Sequence, residues 1–346
     1  MCLIGLCHRI AGLTATERKA QGILKSSRIP TLEVQELLFI LFALDVYRSS
    51  LFNMFARSGV LSLAIALFSN QASALDLDVN NKGTLGTHRS VISSSALTDV
   101  DSITAAAKTL ADGVFAAYKK PLEETRTPGL FGKEYSWWES GNTWTELIEY
   151  SYLTGDQQYN DAIAKALWHQ RGDFDAFMPA NQTKFLGNND QSFWGLASLT
   201  AHETGLQKPP QGEWIDFAVN VWNTQRVRWD TQICNGGLRN QIFAFNNGYT
   251  ERNSITNGNF FLLSARLAHL TGNTTYQDWA TKVFAWSKEV GLVSNESHVF
   301  ESTDSTDNCS TVVQDQWTNN HAMYTEGAAL MYNLVSFLRN FDQGRR

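Results

Sequence analysis

The chain has 346 residues, 43% hydrophobic and 18% charged, with a formal net charge of −6. That length and apolar content sustain one large or two ordinary globular domains, and the acidic balance argues against a nucleic-acid-binding protein, which is usually basic. All 11 Trp lie between Trp137 and Trp317, so the part that packs and binds is expected in the C-terminal two-thirds.

Residues 1–53 hold an apolar run, Leu37 to Leu44, between Glu36 and Asp45. Residues 54–74 have the three parts of a secretory signal. Met54 to Ser58 carries Arg57, Val60 to Phe68 is apolar but for Ser62, and Ala72-Ser73-Ala74 supplies the small residues of a cleavage site. The apolar run is too short to span a membrane. The expected mature chain starts at Leu75, and the extension 1–53 is expected to be an artefact of too early a start codon. Four Asn-X-Ser/Thr sequons, at Asn181, Asn273, Asn295 and Asn308, agree with passage through the secretory pathway.

Residues 79–99 are polar, and 75–98 are expected to form a flexible lead-in to a domain over 99–346. From Asp99 the pattern turns helical, with Ile103, Ala106, Leu110 and Val114 at three- and four-residue spacing. An internal echo follows. Leu153-Thr154-Gly155-Asp156 to Asp161 matches Leu270-Thr271-Gly272-Asn273 to Asp278, and Glu203-Thr204-Gly205 is a weaker third copy. Each lies between helical patterns, so each predicts a helix ended by a left-handed glycine cap and a second helix after it. Repeated helical hairpins stack into a solenoid or close into a ring, and we expect an α/α toroid. Periodicity alone does not separate this from a plain helical bundle.

Four polar, aromatic stretches fall between helical patterns: Glu134 to Gly141, Gly187 to Gly195, Arg228 to Arg239, and Phe245 to Tyr249. Aromatic faces cover the C–H side of a sugar, and amide, acid and guanidinium groups satisfy its hydroxyls. Trp137, Trp138 and Trp229, beside carboxylates and Gly, are expected to bind sugar. Trp279 and Trp286, inside helical patterns, are expected in the core. Asn188-Asn189-Asp190-Gln191 opens a helix; one such residue is an ordinary N-cap, but three amide or acid groups in a row exceed what capping needs. Of the four Cys, Cys2 and Cys7 are N-terminal. Cys234 and Cys309 fit no zinc spacing, and one disulfide between them is the simplest reading in an oxidising compartment.

These stretches resemble glycoside hydrolase family 76, and within it the fungal cell-wall branch of Dfg5/Dcw1 type. The matching segments, in order, are Leu75 to Val79, Trp137-Trp138-Glu139, Met178 to Thr183, Arg228-Trp229-Asp230, Cys234 to Arg239, Phe245 to Tyr249, and Met331-Tyr332-Asn333. The resemblance implies an (α/α)6 toroid acting on α-1,6-linked mannose, without a metal or organic cofactor. It implies substrates in cell-wall mannan or the mannose core of GPI anchors, with GPI-anchored proteins and wall glucan as partners, and a secreted, cell-surface or wall location. A monomer is expected, with no nucleic acid bound. By the same match Asp190 falls on the general acid/base and Asn189 on the nucleophile, where the family has Asp. Trp137, Trp138, Glu139, Asn188, Gln191, Trp229, Asp230, Arg239, Asn247 and Tyr249 fall on the substrate-binding surface.

Retaining glycosidases need two carboxyl groups ~5–5.5 Å apart, one to attack the anomeric carbon and one to protonate the leaving oxygen. A neutral amide is a poor nucleophile, so Asn189 sets two expectations against each other: a mannan hydrolase or transglycosidase that uses another carboxylate such as Asp175 or Asp230, and a mannan-binding relative without turnover. A defective duplicate that folds poorly is a third. Other departures from the family pattern are Ala176 in place of Asp and Asn259 in place of Cys. The chain also stops at Arg346, soon after the Met331 segment; this leads us to expect a ring incomplete at its C-terminal side and no anchor signal.

Overall fold

The computed structural model describes residues 100–343. The extension 1–53, the signal 54–74, the lead-in 75–98, Cys2 and Cys7 lie outside the described residues. Eight helices account for most of what is described: α1 Val100–Thr125, α2 Trp137–Thr154, α3 Asn160–Gln170, α4 Asn188–Glu203, α5 Trp214–Arg228, α6 Ser254–Thr271, α7 Thr274–Glu289 and α8 Thr318–Gln343.

They alternate between two layers. The inner helices α2, α4, α6 and α8 pack side by side in chain order; α1 lies on α2, α3 on α2 and α4, α5 on α4 and α6, and α7 on α6 and α8. This is the inner-and-outer arrangement of an α/α toroid. Burial follows it. In α1 the apolar stripe continues through Ala107, Ala111 and Tyr118, and the opposite side is exposed. In α6 every residue from Ser254 to Ala268 is buried, as expected of a helix with neighbours all round.

The Thr-Gly echoes mark the ends of inner helices. Thr154, Thr204 and Thr271 each turn a hydroxyl back to the carbonyl four residues earlier, at 2.7, 2.8 and 2.6 Å. Gly155 and Gly272 then cap α2 and α6 with φ of 74° and 66°. Each echo thus turns the chain from an inner to an outer helix. The returns from outer to inner helices are longer and contain the polar, aromatic stretches, which therefore gather where the inner helices begin.

Trp137 and Trp194 stack at 5.2 Å between α2 and α4. That contact requires Gly141, because a Cβ there would lie 2.8 Å from the Trp194 ring. At the other end of the inner helices, Arg266 of α6 and Glu203 of α4 form a buried ion pair at 2.7 Å.

A small antiparallel sheet departs from the all-helical expectation. Strands β1 (Glu251–Asn253), β2 (Ser302–Asp304) and β3 (Val312–Val313) lie in that order, with Arg252 opposite Thr303 and Thr303 opposite Val312. At two or three residues, such strands are too short to show alternation. They join two of the long returns, and the Cys234–Cys309 disulfide, with Cα atoms 5.5 Å apart, joins the same two segments. The four sequon asparagines are exposed. Two also serve the fold through their side-chain oxygens: Asn273 caps α7, and Asn308 accepts the Cys234 N–H at 2.9 Å.

Candidate active site

The first turn of α4 organises the site. Gly187 is its N-cap, with extended backbone, and the Asp190 carboxylate reaches back to accept the Gly187 N–H at 2.8 Å. Helical periodicity then divides the stretch. Asn188 and Gln191 are buried, whereas Asn189 and Asp190 are half-buried.

The inward residues tie the surrounding segments together. Asn188 donates its backbone N–H to the Asn240 carbonyl and its side-chain amide to the Arg239 carbonyl, each at 2.8 Å. The Gln191 amide donates to the Ala176 carbonyl at 2.7 Å and to Thr224 at 3.0 Å, while its oxygen accepts from Arg228. Gln225 of α5 donates to the Asn188 carbonyl and to Ser192, both at 2.8 Å. Two returns and the end of α5 are thereby fixed on the start of one helix. Burial lowers the Arg228 guanidinium to about 10, so it remains charged at neutral pH.

The Asp190 carboxyl is pushed up to about 6 because burial disfavours its charged form; the Gly187 N–H opposes that shift without cancelling it. A carboxyl poised there can hold a proton in mildly acidic surroundings and release it near neutrality, as a general acid/base requires. Beside it, the Asn189 side-chain oxygen is buried without a hydrogen-bond partner.

The two carboxylates considered as substitutes for a nucleophile have other partners. Asp230 accepts from Arg239 at 2.6 Å and from Arg252 at 2.8 Å through the same oxygen. Burial raises its pKa, but the Gln232 N–H and the two guanidiniums outweigh that, leaving it below its ordinary value. Asp175 is exposed and paired with Arg171 at 2.9 Å.

The aromatic expectations divide. Trp137 and Trp229 are core residues, each 8% exposed: Trp137 donates its ring N–H to Gln170, and Trp229 packs edge-on against Trp286. Sugar stacking on these two is not what the structure places there. Their neighbouring carboxylates point elsewhere, since Glu139 accepts the Ser136 N–H at 2.6 Å to cap α2 and Asp230 holds its two arginines. Trp138 is half-buried against Phe193 at 4.9 Å. Trp286 is in the core as expected, and Trp279 is half-buried against it. Arg239 lies over the Tyr249 ring at 4.7 Å, and Asn247 is exposed on the same loop.

Two supports were not foreseen. Arg252 is fully buried and donates to Asp230 and Ser305, and Asn257 of α6 binds both the N–H and the carbonyl of Leu238. Neither stands in a polar, aromatic stretch, and no sequence signal marks them.

Paired layers of helices, with a half-buried acid on the first turn of an inner helix, define an α/α-toroid domain of the glycoside hydrolase kind. Residues 102–336 match the model of glycosyl hydrolase family 76, and the chain belongs to that family. It is 42% identical over 214 residues to the mannan endo-1,6-alpha-mannosidase DCW1 of Saccharomyces cerevisiae, covering 61% of this chain and 48% of that protein. It is 38% identical over 278 residues to a putative mannan endo-1,6-alpha-mannosidase of Schizosaccharomyces pombe, covering 80% and 58%. The chain thus spans about half the length of the curated relatives it matches. Among solved structures it is similar to Dfg5 from Chaetomium thermophilum in complex with glucosamine, with a TM-score of 0.66 and 36% identity over 71% of this chain and 62% of that one. An α-1,6-mannanase of Salegentibacter sp. HEL1_6, 19% identical over 66% of this chain and 64% of its own, shares the fold with a TM-score of 0.54.

Proposed function

We propose that this chain is an α-1,6-mannoside-processing domain of the endo-mannosidase type, with its glycan site at the start of α4. The observation that carries this reading is the Asp190 carboxyl, held on the first turn of an inner helix and raised to about 6 by burial. Asp190 gives its proton to the glycosidic oxygen as that oxygen's bond to C1 breaks, the acceptor oxygen bonds to C1 in its place, and the acceptor's proton returns to Asp190. Water as acceptor gives hydrolysis and a sugar hydroxyl gives transfer. Asn188 and Gln191 hold the helix start in place, and Trp138, Arg239, Asn247 and Tyr249 belong to the surrounding glycan surface. The substrates are cell-wall mannan or the mannose core of GPI anchors; GPI-anchored proteins and wall glucan are partners. The chain is secreted, cleaved before Leu75, glycosylated at its exposed sequons and monomeric. Among the described residues, no helix is long and apolar enough to cross a membrane.

A second reading, glycan binding without turnover, is favoured by one observation. The carboxylates of Asp230 and Asp175 are engaged with arginines, which leaves neither free to replace the nucleophile whose position falls, by the resemblance, on Asn189. Loss of a nucleophile lowers rates by several powers of ten.

The test compares the wild-type chain with Asn189→Asp and Asp190→Asn for binding and cleavage of α-1,6-mannotetraose. Turnover by the wild type that Asp190→Asn abolishes supports the enzyme. Turnover only in Asn189→Asp, with binding by both, supports the binding protein. Failure of all three to bind the tetrasaccharide overturns both readings.

A further inference from the structure

The return from α7 to α8 brings two histidines onto one oxygen. His298 Nδ1 and His321 Nε2 each lie 3.2 Å from Oε1 of Gln316. None of the three has a part in the site proposed at α4.

Each ring hangs from hydrogen-bonded backbone. His298 closes a tight hairpin: Val293 and Val299 pair antiparallel, the Ser294 N–H donates to the His298 carbonyl at 2.9 Å, and the His298 N–H returns to the Ser294 hydroxyl at 3.2 Å. The Phe300 ring, two residues on, lies within 12° of the His298 plane. His321 is on the first turn of α8, where its N–H donates to the Trp317 carbonyl at 3.2 Å. Gln316 precedes that helix and is exposed. The hairpin segment and the helix already meet, since Asn320 donates to the Glu301 carboxylate at 2.8 Å.

The spacing suits a metal ion better than a pair of hydrogen bonds. N–H···O bonds run roughly 2.7–3.2 Å, most of them near the middle of that range, so both contacts fall at its long limit. Around zinc, with bonds of roughly 2.0–2.2 Å to nitrogen and oxygen, neighbouring ligand atoms lie roughly 3–3.5 Å apart. Imidazole suits zinc, copper and nickel, and an amide oxygen completes some such sites. Among the described residues no three His, Cys, Asp or Glu side chains form a metal site, so this set relies on the amide. Charge also favours a cation. Between Gly291 and Trp317 the chain has Glu296, Glu301, Asp304, Asp307 and Asp315 but no Lys or Arg, and such a field draws cations.

We propose that His298, His321 and Gln316 bind a divalent transition-metal ion of the zinc class, with water completing its coordination. The ion clamps the 293–301 hairpin segment onto the first turn of α8. Its role is structural, and it takes no part in proton transfer at Asp190. The inference is independent of the mannoside reading.

Calorimetric titration of the full chain with zinc chloride, after dialysis against a chelator and then chelator-free buffer, tests the site beside His298→Ala, His321→Ala and Gln316→Glu. The expected wild-type result is one zinc per chain. Each alanine variant should bind at least about tenfold more weakly, since even an outer partner of a metal ligand is worth that much. Gln316→Glu should bind about tenfold more tightly, because a charged oxygen replaces a neutral one. Gln316 is exposed, so this variant should fold, and far-UV circular dichroism checks all three. Zinc should also slow hydrogen exchange over 293–301 and 316–322 in the wild type. Absence of wild-type binding overturns the proposal. So does binding that survives both alanine substitutions, which would place the ion on other histidines such as His169, His202 or His269. Weaker binding by Gln316→Glu overturns it too, since the amide would then serve only as a hydrogen-bond acceptor. Binding without slower exchange in the two segments overturns the clamp.

Discussion

The carboxylate of Asp190 accepts the backbone N–H of Gly187 at 2.8 Å, so the proposed acid of the site is also the group that closes the first turn of α4. Capping and chemistry are thus linked in one side chain. Burial raises its pKa from 3.8 to about 6, so the neutral acid is favoured in the folded chain. The stability that this contributes is fully present below the unfolded pKa and is lost as pH rises through about 6. Turnover that needs the protonated acid should fall over the same interval. Melting temperatures and rates measured from pH 4 to 8 should both decline, and Asp190→Asn should flatten the part of the stability curve near pH 6. An unchanged curve in that variant would assign the decline to another group.

Gly187 is required by geometry rather than by a turn. Its backbone is extended, but a Cβ would press on the Asn189 oxygen at 2.4 Å, the Asn240 carbonyl at 3.1 Å and Asp190 at 3.1 Å. Gly187→Ala should destabilise the chain by about 1–3 kcal/mol through overpacking, and should weaken mannoside binding beyond what the loss of folded protein explains. Chemical denaturation alongside titration separates the two effects. A variant as stable and as tight as wild type would mean that the Asn189 side chain moves aside freely.

The helical hairpins were legible because the Thr-Gly pairs are local: a hydroxyl turned back four residues and a glycine with positive φ need no distant partner. The Asn189–Asp190 pair was legible as a run of polar groups at a helix start, and its meaning came from resemblance. Trp137 and Trp229 were misread because proximity to Glu139 and Asp230 in the chain says nothing of where a ring points. Glu139 caps its own helix, and Asp230 is turned to Arg239 and Arg252. Arg252 and the short sheet were not legible, since both depend on segments some fifty residues apart meeting at β1 and β2.

Asn259 lies wholly inside α6, and neither end of its amide has a hydrogen-bond partner. An unsatisfied buried polar group costs about 1–3 kcal/mol, whereas an apolar side chain of similar shape restores most of that. Asn259→Leu should therefore raise the denaturation midpoint without changing glycan affinity. A lower midpoint would show that the amide has a partner in solution, such as an internal water.

The Cys234–Cys309 bond closes a loop with a sequence separation of 75 and holds the two returns that the small sheet also joins. Removal of a structural disulfide of this kind typically costs about 2–5 kcal/mol. Reduction should lower the melting temperature and loosen Asp230, because Cys234 and the Arg252 that donates to Asp230 sit on the same return, which the bond ties to the Cys309 segment. Faster hydrogen exchange over 229–240 after reduction checks the local effect. Protection unchanged there, with only a global loss, would assign the bond to the unfolded state alone.

Glu149 of α2 supplies the last pH-dependent element, far along the chain from the proposed acid. One of its carboxylate oxygens is buried without a hydrogen-bond partner. Burial first, then the charges of Glu146 on α2 and Glu326 on α8, push it up to about 8; Arg266 on α6 lowers it only in part, and that arginine is paired with Glu203. Because the folded value lies above the ordinary 4.5, the neutral form stabilises the fold below pH 4.5, and that contribution is lost as pH rises through about 8. The wild-type melting temperature should therefore keep falling between pH 6 and 9, after Asp190 has titrated. Glu149→Gln keeps a neutral side chain of the same shape and should remove that upper part of the decline while leaving the part near pH 6. If Glu149→Gln instead leaves the upper part in place, Glu149 ionises without stress, and water must reach its carboxylate in the folded chain.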